Sequence, residues 1–230
     1  MSEQTSENTN QPTTYLGRTG PTAPTPAGPQ PIGVTAAERE AAFELARATL
    51  AEFLPIEVTR NFAGAQWTKL IVNQINALPA ITGLPVQETI AHPGLRRVLT
   101  ASMAEAVGVA RSRGVHFEPL LGLSDPLLTV FSHAPAPLAG LLPRLMARRM
   151  GSTPNPGSTL QSIRRGQLTE IDHLNGAVVA EARAAQAADA AHAAAGAPVN
   201  AALVALVHRV EAEHAFLTPA EVVRAVPLTR

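Results

Sequence analysis

The sequence predicts a mainly α protein, and three observations carry that expectation. From Gly64 onward apolar residues recur at helical spacing almost without a break. Helix-start signals are written out as capping boxes, Thr35 followed by Glu38 and Thr218 followed by Glu221. Strand-like alternation is confined to two short stretches, Thr14–Arg18 and Ile56–Arg60.

Composition sets the outer bounds. A chain of 230 residues allows one or two domains with a sizeable core. Basic and acidic residues balance at 18 each, so no broad field draws the chain to nucleic acid or to an anionic membrane. There is no cysteine, which removes disulfides and thiol catalysis. The apolar stretch Leu138–Met146 is too short to span a bilayer, and no charged-then-apolar signal opens the chain. A soluble, cytoplasmic protein with no nucleic-acid or membrane partner is therefore expected.

The elements follow in order. Residues 1–33 are rich in Thr, Pro, Gly, Gln and Asn and bury too little apolar area to offset their ordering entropy, so a disordered low-complexity lead is expected. Within it, "TYLGR" (Thr14–Arg18) reads as an isolated strand. Residues 34–62 hold a helix opened by the Thr35 box, with Phe43, Leu45, Leu50 and Phe53 as apolar contacts and Pro55 as the stop, and then the strand Ile56–Arg60. Residues 63–230 form the helical domain. One helix is expected over about 65–80 and a second over about 92–113, closed by basic residues and Gly114. Prolines break "LSDPLLTVFSH" and "PLAGLLPRLMARRMG" into shorter helices. Ile171, Leu174 and Val178 share a helical face further on, Pro198 opens another helix, and Thr218 with Pro219 opens the last. No fixed-period repeat occurs.

Two clusters could carry chemistry. Lys69, Asn73 and Asn76 fall at i, i+4 and i+7 and share one helical face. Lys69 is also the sole lysine of the chain. Two readings of this stripe stand open: a solvated polar face, or a pocket lining. In the second, partial desolvation among Leu70, Ile71, Val72 and Ile75 would prepare Lys69 to give a proton near neutrality. The second cluster lies in "GSTLQSIRRGQLTEIDHLNG". Ser158 with Gln161 reads as a capping box, and Glu170 as either a surface carboxylate or a group that polarises a substrate hydroxyl. No HExxH pair offers a metal site, no G-x-S-x-G marks a serine nucleophile, and no G-x-G-x-x-G or P-loop marks a nucleotide. No metal or cofactor site is expected within the chain itself.

Together the two clusters sharpen the picture. "WTKLIVNQINALPAITGLPVQE", a long helical stretch, and then "GSTLQSIRRGQLTEIDHLNGAVV…GAPVNAALVALV" resemble the C-terminal helical domain of ketopantoate reductases. These 2-dehydropantoate 2-reductases reduce a 2-keto acid with NADPH, and their helical half is of the 6-phosphogluconate-dehydrogenase-like type. The resemblance implies Lys69 as the catalytic proton donor and Glu170 as a catalytic, substrate-binding carboxylate. It implies Asn73, Asn76 and Ser158 as substrate-binding residues, although many members carry the second asparagine one position later than Asn76. Ser162 departs from the Gln-Asp pair common in the family, so that corner of the site differs.

The resemblance also implies an absence. The family binds NADPH on an N-terminal Rossmann domain, and the chain has no counterpart of its Gly-rich turn. Residues 34–62, with "TYLGR" before them, look like the remnant of a closing β-α-β piece. The expectation is a truncated ketopantoate-reductase-like protein that keeps the keto/hydroxy-acid and proton-donor half of the site. It binds no cofactor alone and transfers no hydride unless a separate dinucleotide-binding subunit supplies NADPH. Two other readings stand beside it. One is a non-redox acid–base enzyme acting on a keto compound by cyclisation, aldol chemistry or dehydration. The other is a non-catalytic dimerisation or binding module. A small keto or hydroxy acid is the expected ligand and a homodimer the expected assembly.

Overall fold

A computed structural model of the chain describes residues 14–17, 35–188 and 196–228. Apart from Thr14–Gly17, the expected disordered lead lies outside them. The chain divides into two compact units, residues 1–65 and 66–230.

The first unit is a small parallel β-α-β motif. Strand β1 (Thr14–Gly17) pairs in parallel with β2 (Ile56–Thr59), in the register Thr14 to Ile56 and Gly17 to Thr59. Helix α1 (Ala36–Ala51) connects them, as a crossover between parallel neighbours requires. The isolated strand expected from "TYLGR" is thus corrected: it is partnered and ends at Gly17. The Thr35 box forms as written, with Thr35 Oγ1 accepting from the Glu38 amide and the Glu38 carboxylate accepting from the Thr35 amide. The apolar contacts expected of α1 form only in part. Phe43 and Leu50 are half-buried, whereas Leu45 and Phe53 are 70% and 77% exposed.

The second unit is all helix among its described residues. Helix α2 (Phe62–Asn73) runs into a 3-10 turn (Gln74–Asn76) and then α3 (Ala77–Thr82), which stops at Gly83 with φ 72°. One unbroken helix over 65–80 is therefore corrected to two α segments with a tighter turn between them. Pro79 supplies the reason. It has no N–H for the carbonyl of Ile75, and its ring crowds that carbonyl, so the chain tightens at the turn that contains Ile75.

The short helix α4 (Val86–Ala91) leads into the long helix α5 (Pro93–Ser112), which is the axis of the unit. His92 caps it by accepting from the Leu95 amide, Pro93 sits in its first turn, and the left-handed Gly114 lies just past its end. Leu95, Val98, Leu99, Met103, Ala106 and Val107 recur every three or four residues and are at most 1% exposed. Full burial of each large side chain among them contributes about 1.5–3 kcal/mol. Around α5 pack α6 (Asp125–His133), α7 (Ala136–Ala139), α8 (Leu141–Arg149), α10 (Asn175–Ala188), α11 (Pro198–Glu213) and α12 (Pro219–Ala225). Helix α9 (Ser158–Arg164) packs instead on α3 and the 3-10 turn before it. No helix of the described residues is long and apolar enough to cross a membrane.

Candidate functional site

The packing of α9 against the 3-10 turn brings the two sequence clusters together. Gly157, at the head of α9, adopts φ 73° and ψ 157°, a conformation essentially reserved for glycine. A Cβ there would stand 2.8 Å from Asn76 Oδ1, so both the backbone and the neighbour require glycine. The next residue, Ser158, donates its hydroxyl to Glu170 Oε1 at 2.8 Å. The Ser158–Gln161 capping box is thereby corrected. Gly157 occupies the cap position with no side-chain cap bond, and the serine hydroxyl is turned to the carboxylate instead. Asn76, Ser158 and Glu170 thus meet at one corner.

Lys69 and Asn73 lie up the same face. In a 3-10 turn residues three apart eclipse one another, so Asn73 stands directly behind Asn76, with Lys69 one α-turn further. The stripe runs from solvent into the protein: Lys69 is exposed, Asn73 half-buried and Asn76 buried at 8%. Ile71, Val72 and Ile75 are buried as expected, and Lys69 itself is exposed, as the solvated-face reading has it and not as the desolvated one requires.

A second polar cluster escaped the sequence reading. Gln74, Ser102, Asn175 and Asn200 are each fully buried. The Asn175 amide donates to Gln74 Oε1 at 2.7 Å and to Asn200 Oδ1 at 2.9 Å. Ser102 Oγ lies 2.9 Å from each of those oxygens and donates to one of them. Asn200 Nδ2 donates to the Ser102 carbonyl and, at 2.7 Å, to Glu105 Oε2. Glu105 also accepts the backbone N–H groups of Val199 and Asn200 at the open end of α11. Burial pushes the Glu105 carboxyl above its ordinary value, and the N–H donors offset only part of that. Asn175 Oδ1 has no partner among the described residues. The cluster ties the 3-10 turn before α3 to the segment just past Glu170. Gln74 lies within "NQIN" and Asn175 within "TEIDHLN", next to residues that the sequence did single out, but neither segment marks the contact between them.

The segment that carries Glu170 is pinned from α11. The Thr169 amide donates to Glu211 Oε1 at 2.9 Å. Three residues on, Asp172 Oδ1 lies 3.0 Å from His208 Nε2, and His208 Nδ1 lies 2.7 Å from Glu211 Oε2. The bond to Glu211 raises the His208 pKa; its burial opposes this, and Asp172 adds to the rise. Burial lifts Glu211, but the bonds from His208 and Thr169 outweigh it and hold that carboxyl low.

Among the described residues no group of His, Asp and Glu is placed to hold a metal. An apolar groove of about 550 Å³ lies along α6 to α8, lined by Leu127, Phe131, Leu138, Leu142 and Leu145 with Arg144 among them. None of the five predicted site residues lines it, so its size says nothing about their chemistry.

Residues 61–211 match the family model described as ketopantoate reductase PanE/ApbA C terminal. The chain belongs to this family. A PanE/ApbA family ketopantoate reductase from Ralstonia eutropha JMP134 is a structural neighbour, 32% identical, with a TM-score of 0.53 over 74% of this chain. D-mandelate dehydrogenase, solved in a ternary complex with NADH and anilino(oxo)acetate, shares the fold at 19% identity with a TM-score of 0.57 over 78% of this chain. The chain spans 48% of the length of the reductase and 64% of the dehydrogenase. No curated protein matches it. In this ketopantoate reductase C-terminal domain, the strongest sequence signal and the Asn76–Ser158–Glu170 corner fall within the matched residues.

Proposed function

We propose that the domain supplies the acid-binding and proton-donating half of a ketopantoate-reductase-type site, taking a small 2-keto or 2-hydroxy acid. The observation that carries this reading is the Ser158–Glu170 hydrogen bond, made across the turn that also seats Gly157 against Asn76. Each member has a chemical task. Glu170 accepts the hydroxyl of a hydroxy acid, and Ser158 shares its remaining capacity with the ligand. The Asn76 and Asn73 amides donate to carboxylate or carbonyl oxygen. The exposed Lys69 offsets the ligand's negative charge and is the proton donor to the oxygen that becomes the hydroxyl.

Hydride chemistry needs a nicotinamide held beside the carbonyl. The residues present do not fit that group, since the chain contains no G-x-G-x-x-G turn to cradle its phosphates. The dinucleotide would come from a module supplied by another chain or domain. The purified chain is expected to bind ketopantoate or pantoate and to oxidise no NADPH.

The test is a two-dimensional amide NMR titration with each acid, beside an absorbance assay of NADPH with ketopantoate. Shifts centred on Asn76, Ser158 and Glu170, lost in Glu170→Gln, support the reading. Saturating acid with no shift at those amides ends it, and steady NADPH turnover refutes the division of labour.

A further inference from the structure

Glu170 is exposed, on a segment with only a short 3-10 turn (Ile171–His173) to stiffen it. What holds its carboxylate on Ser158 is a question of how that segment is fixed. Its far side is secured by apolar burial, since Ile171 is fully buried and Leu174 nearly so. Its polar side is gripped twice from one turn of α11, at Thr169 by Glu211 and at Asp172 by His208, and those two grips are joined to each other. Glu170 lies between the two gripped residues.

We propose that His208 and Glu211 are positioning residues that clamp the Thr169–Asp172 segment and thereby aim the Glu170 carboxylate at Ser158 and the bound acid. The proposal rests on the acid-binding reading of Glu170. Its logic is set by hydrogen-bond capacity. A neutral imidazole has one N–H and can serve one carboxylate as donor, whereas imidazolium has two and can serve both Glu211 and Asp172. The whole clamp therefore needs His208 charged.

The charged groups acting on the ring, among the described residues, are Asp172 from the 3-10 turn and Glu211 on its own helix. Of the neighbouring helices, α3 carries no charged residue. The charged residues of α10 (Glu181 and Arg183) and of α5 (Arg96, Arg97, Glu105 and Arg111) do not act on it. The His208 pKa is raised in the folded chain, so the clamp is complete at low pH and opens as pH climbs through that raised value.

The experiment is an amide NMR and acid-binding series on the full 230-residue chain from pH 5 to 9, for wild type, His208→Gln and Asp172→Asn. In wild type the Thr169 and Ile171 amides should titrate with the His208 ring, a readout that needs no ligand. Affinity for ketopantoate should fall by about fivefold across the same step, the worth of one lost hydrogen bond. His208→Gln should lose both the step in the amide shifts and the step in affinity, binding at all pH values like wild type at high pH. Asp172→Asn should shrink both steps. Its lesion lies outside α11, so it keeps the test open if His208→Gln disturbs the helix. Amides of Thr169 and Ile171 that ignore the ring, or an unchanged pH profile in His208→Gln, overturn the clamp while the acid site stands. A clamp that titrates in a chain that binds no acid overturns its role in aiming Glu170, and with it the acid-binding reading.

Discussion

Two polar clusters join the same two stretches of this chain, and burial is what separates them. The Gln74–Ser102–Asn175–Asn200 cluster is dry, each member fully buried, and apart from Asn175 Oδ1 its side-chain groups bond to one another, to the Ser102 carbonyl and to Glu105. The corner of Asn76, Ser158 and Glu170 uses the same residue chemistry, yet Ser158 and Glu170 are exposed and only one side-chain bond joins them. A dry polar cluster fixes geometry, because every group removed from water must find its partner inside. A wet one keeps spare donors and acceptors for a ligand. The first ties the 3-10 turn before α3 to α5, to α11 and to the start of α10 just past Glu170, and the second uses that placement.

The comparison breaks most visibly in the dry cluster. Asn200→Ala removes a donor to Glu105 and an acceptor for Asn175 at once, stranding buried polar groups. It should cost about 3 kcal/mol, read as a drop in urea midpoint at unchanged slope. A loss under about 1 kcal/mol would mean that the network is not the fastener described. Gly157→Ala follows. The substitution forces a glycine-only conformation and drives Cβ onto Asn76 Oδ1, so a loss of about 1–3 kcal/mol is expected together with weakened acid binding. Crystals or NMR showing Asn76 and Ser158 unmoved in a stable Gly157→Ala chain would contradict it.

An intermediate case tests whether burial is the controlling variable. Arg111 Nη2 pairs with Asp125 Oδ2 at 2.9 Å, with side chains 29% and 33% exposed, and Asp125 also accepts the Phe117 amide. The hydrogen bond from Arg111 holds the Asp125 carboxyl below its ordinary value against a small burial penalty, with help from Phe117. A lowered carboxyl stabilises the fold above its unfolded pKa, and that contribution disappears as pH falls through the folded value. Asp125→Asn should cost up to about 1 kcal/mol at neutral pH, with the gap to wild type closing in acid. Urea titrations at pH 7 and pH 3 check it, and a gap that widens in acid would reverse the assignment.

Much of the fold was legible because local signals agreed with tertiary ones. The Thr35 and Thr218 boxes cap their helices, and His92 and Gly114 bracket α5. The errors have physical sources. A helical wheel assumes 3.6 residues per turn, and Pro79 acts on the carbonyl four residues back, so the 3-10 turn at Gln74–Asn76 was hidden. Ser158 satisfied the sequence rule for a cap, but Gly157 with φ 73° took the cap position. Pairing of Thr14–Gly17 with Ile56–Thr59 spans some forty residues, so no local signal marked it and only the family resemblance pointed to a β-α-β piece. The dry cluster was missed for a similar reason. Asn175 and Asn200 are single amides on different helices, and nothing in their own neighbourhoods shows that they face Gln74.

The smallest effect on stability should come from the wet corner, and there the contrast is sharpest. Glu170→Gln keeps an oxygen that can accept the Ser158 hydroxyl, and Lys69→Met removes an exposed ammonium, so each should shift stability by no more than about 0.5 kcal/mol. Acid binding should nevertheless weaken about tenfold or more in each, because hydrogen bonds to charged groups are worth roughly twice neutral ones. Lys69 offers a direct readout. As the sole lysine, it gives a single side-chain signal after reductive methylation with labelled formaldehyde, a modification that keeps its charge. Adding ketopantoate should move that signal in step with the amides of Ser158 and Glu170. A Lys69 signal that stays fixed while those amides saturate would restrict the site to the Asn76–Ser158–Glu170 corner and return Lys69 to the solvated face.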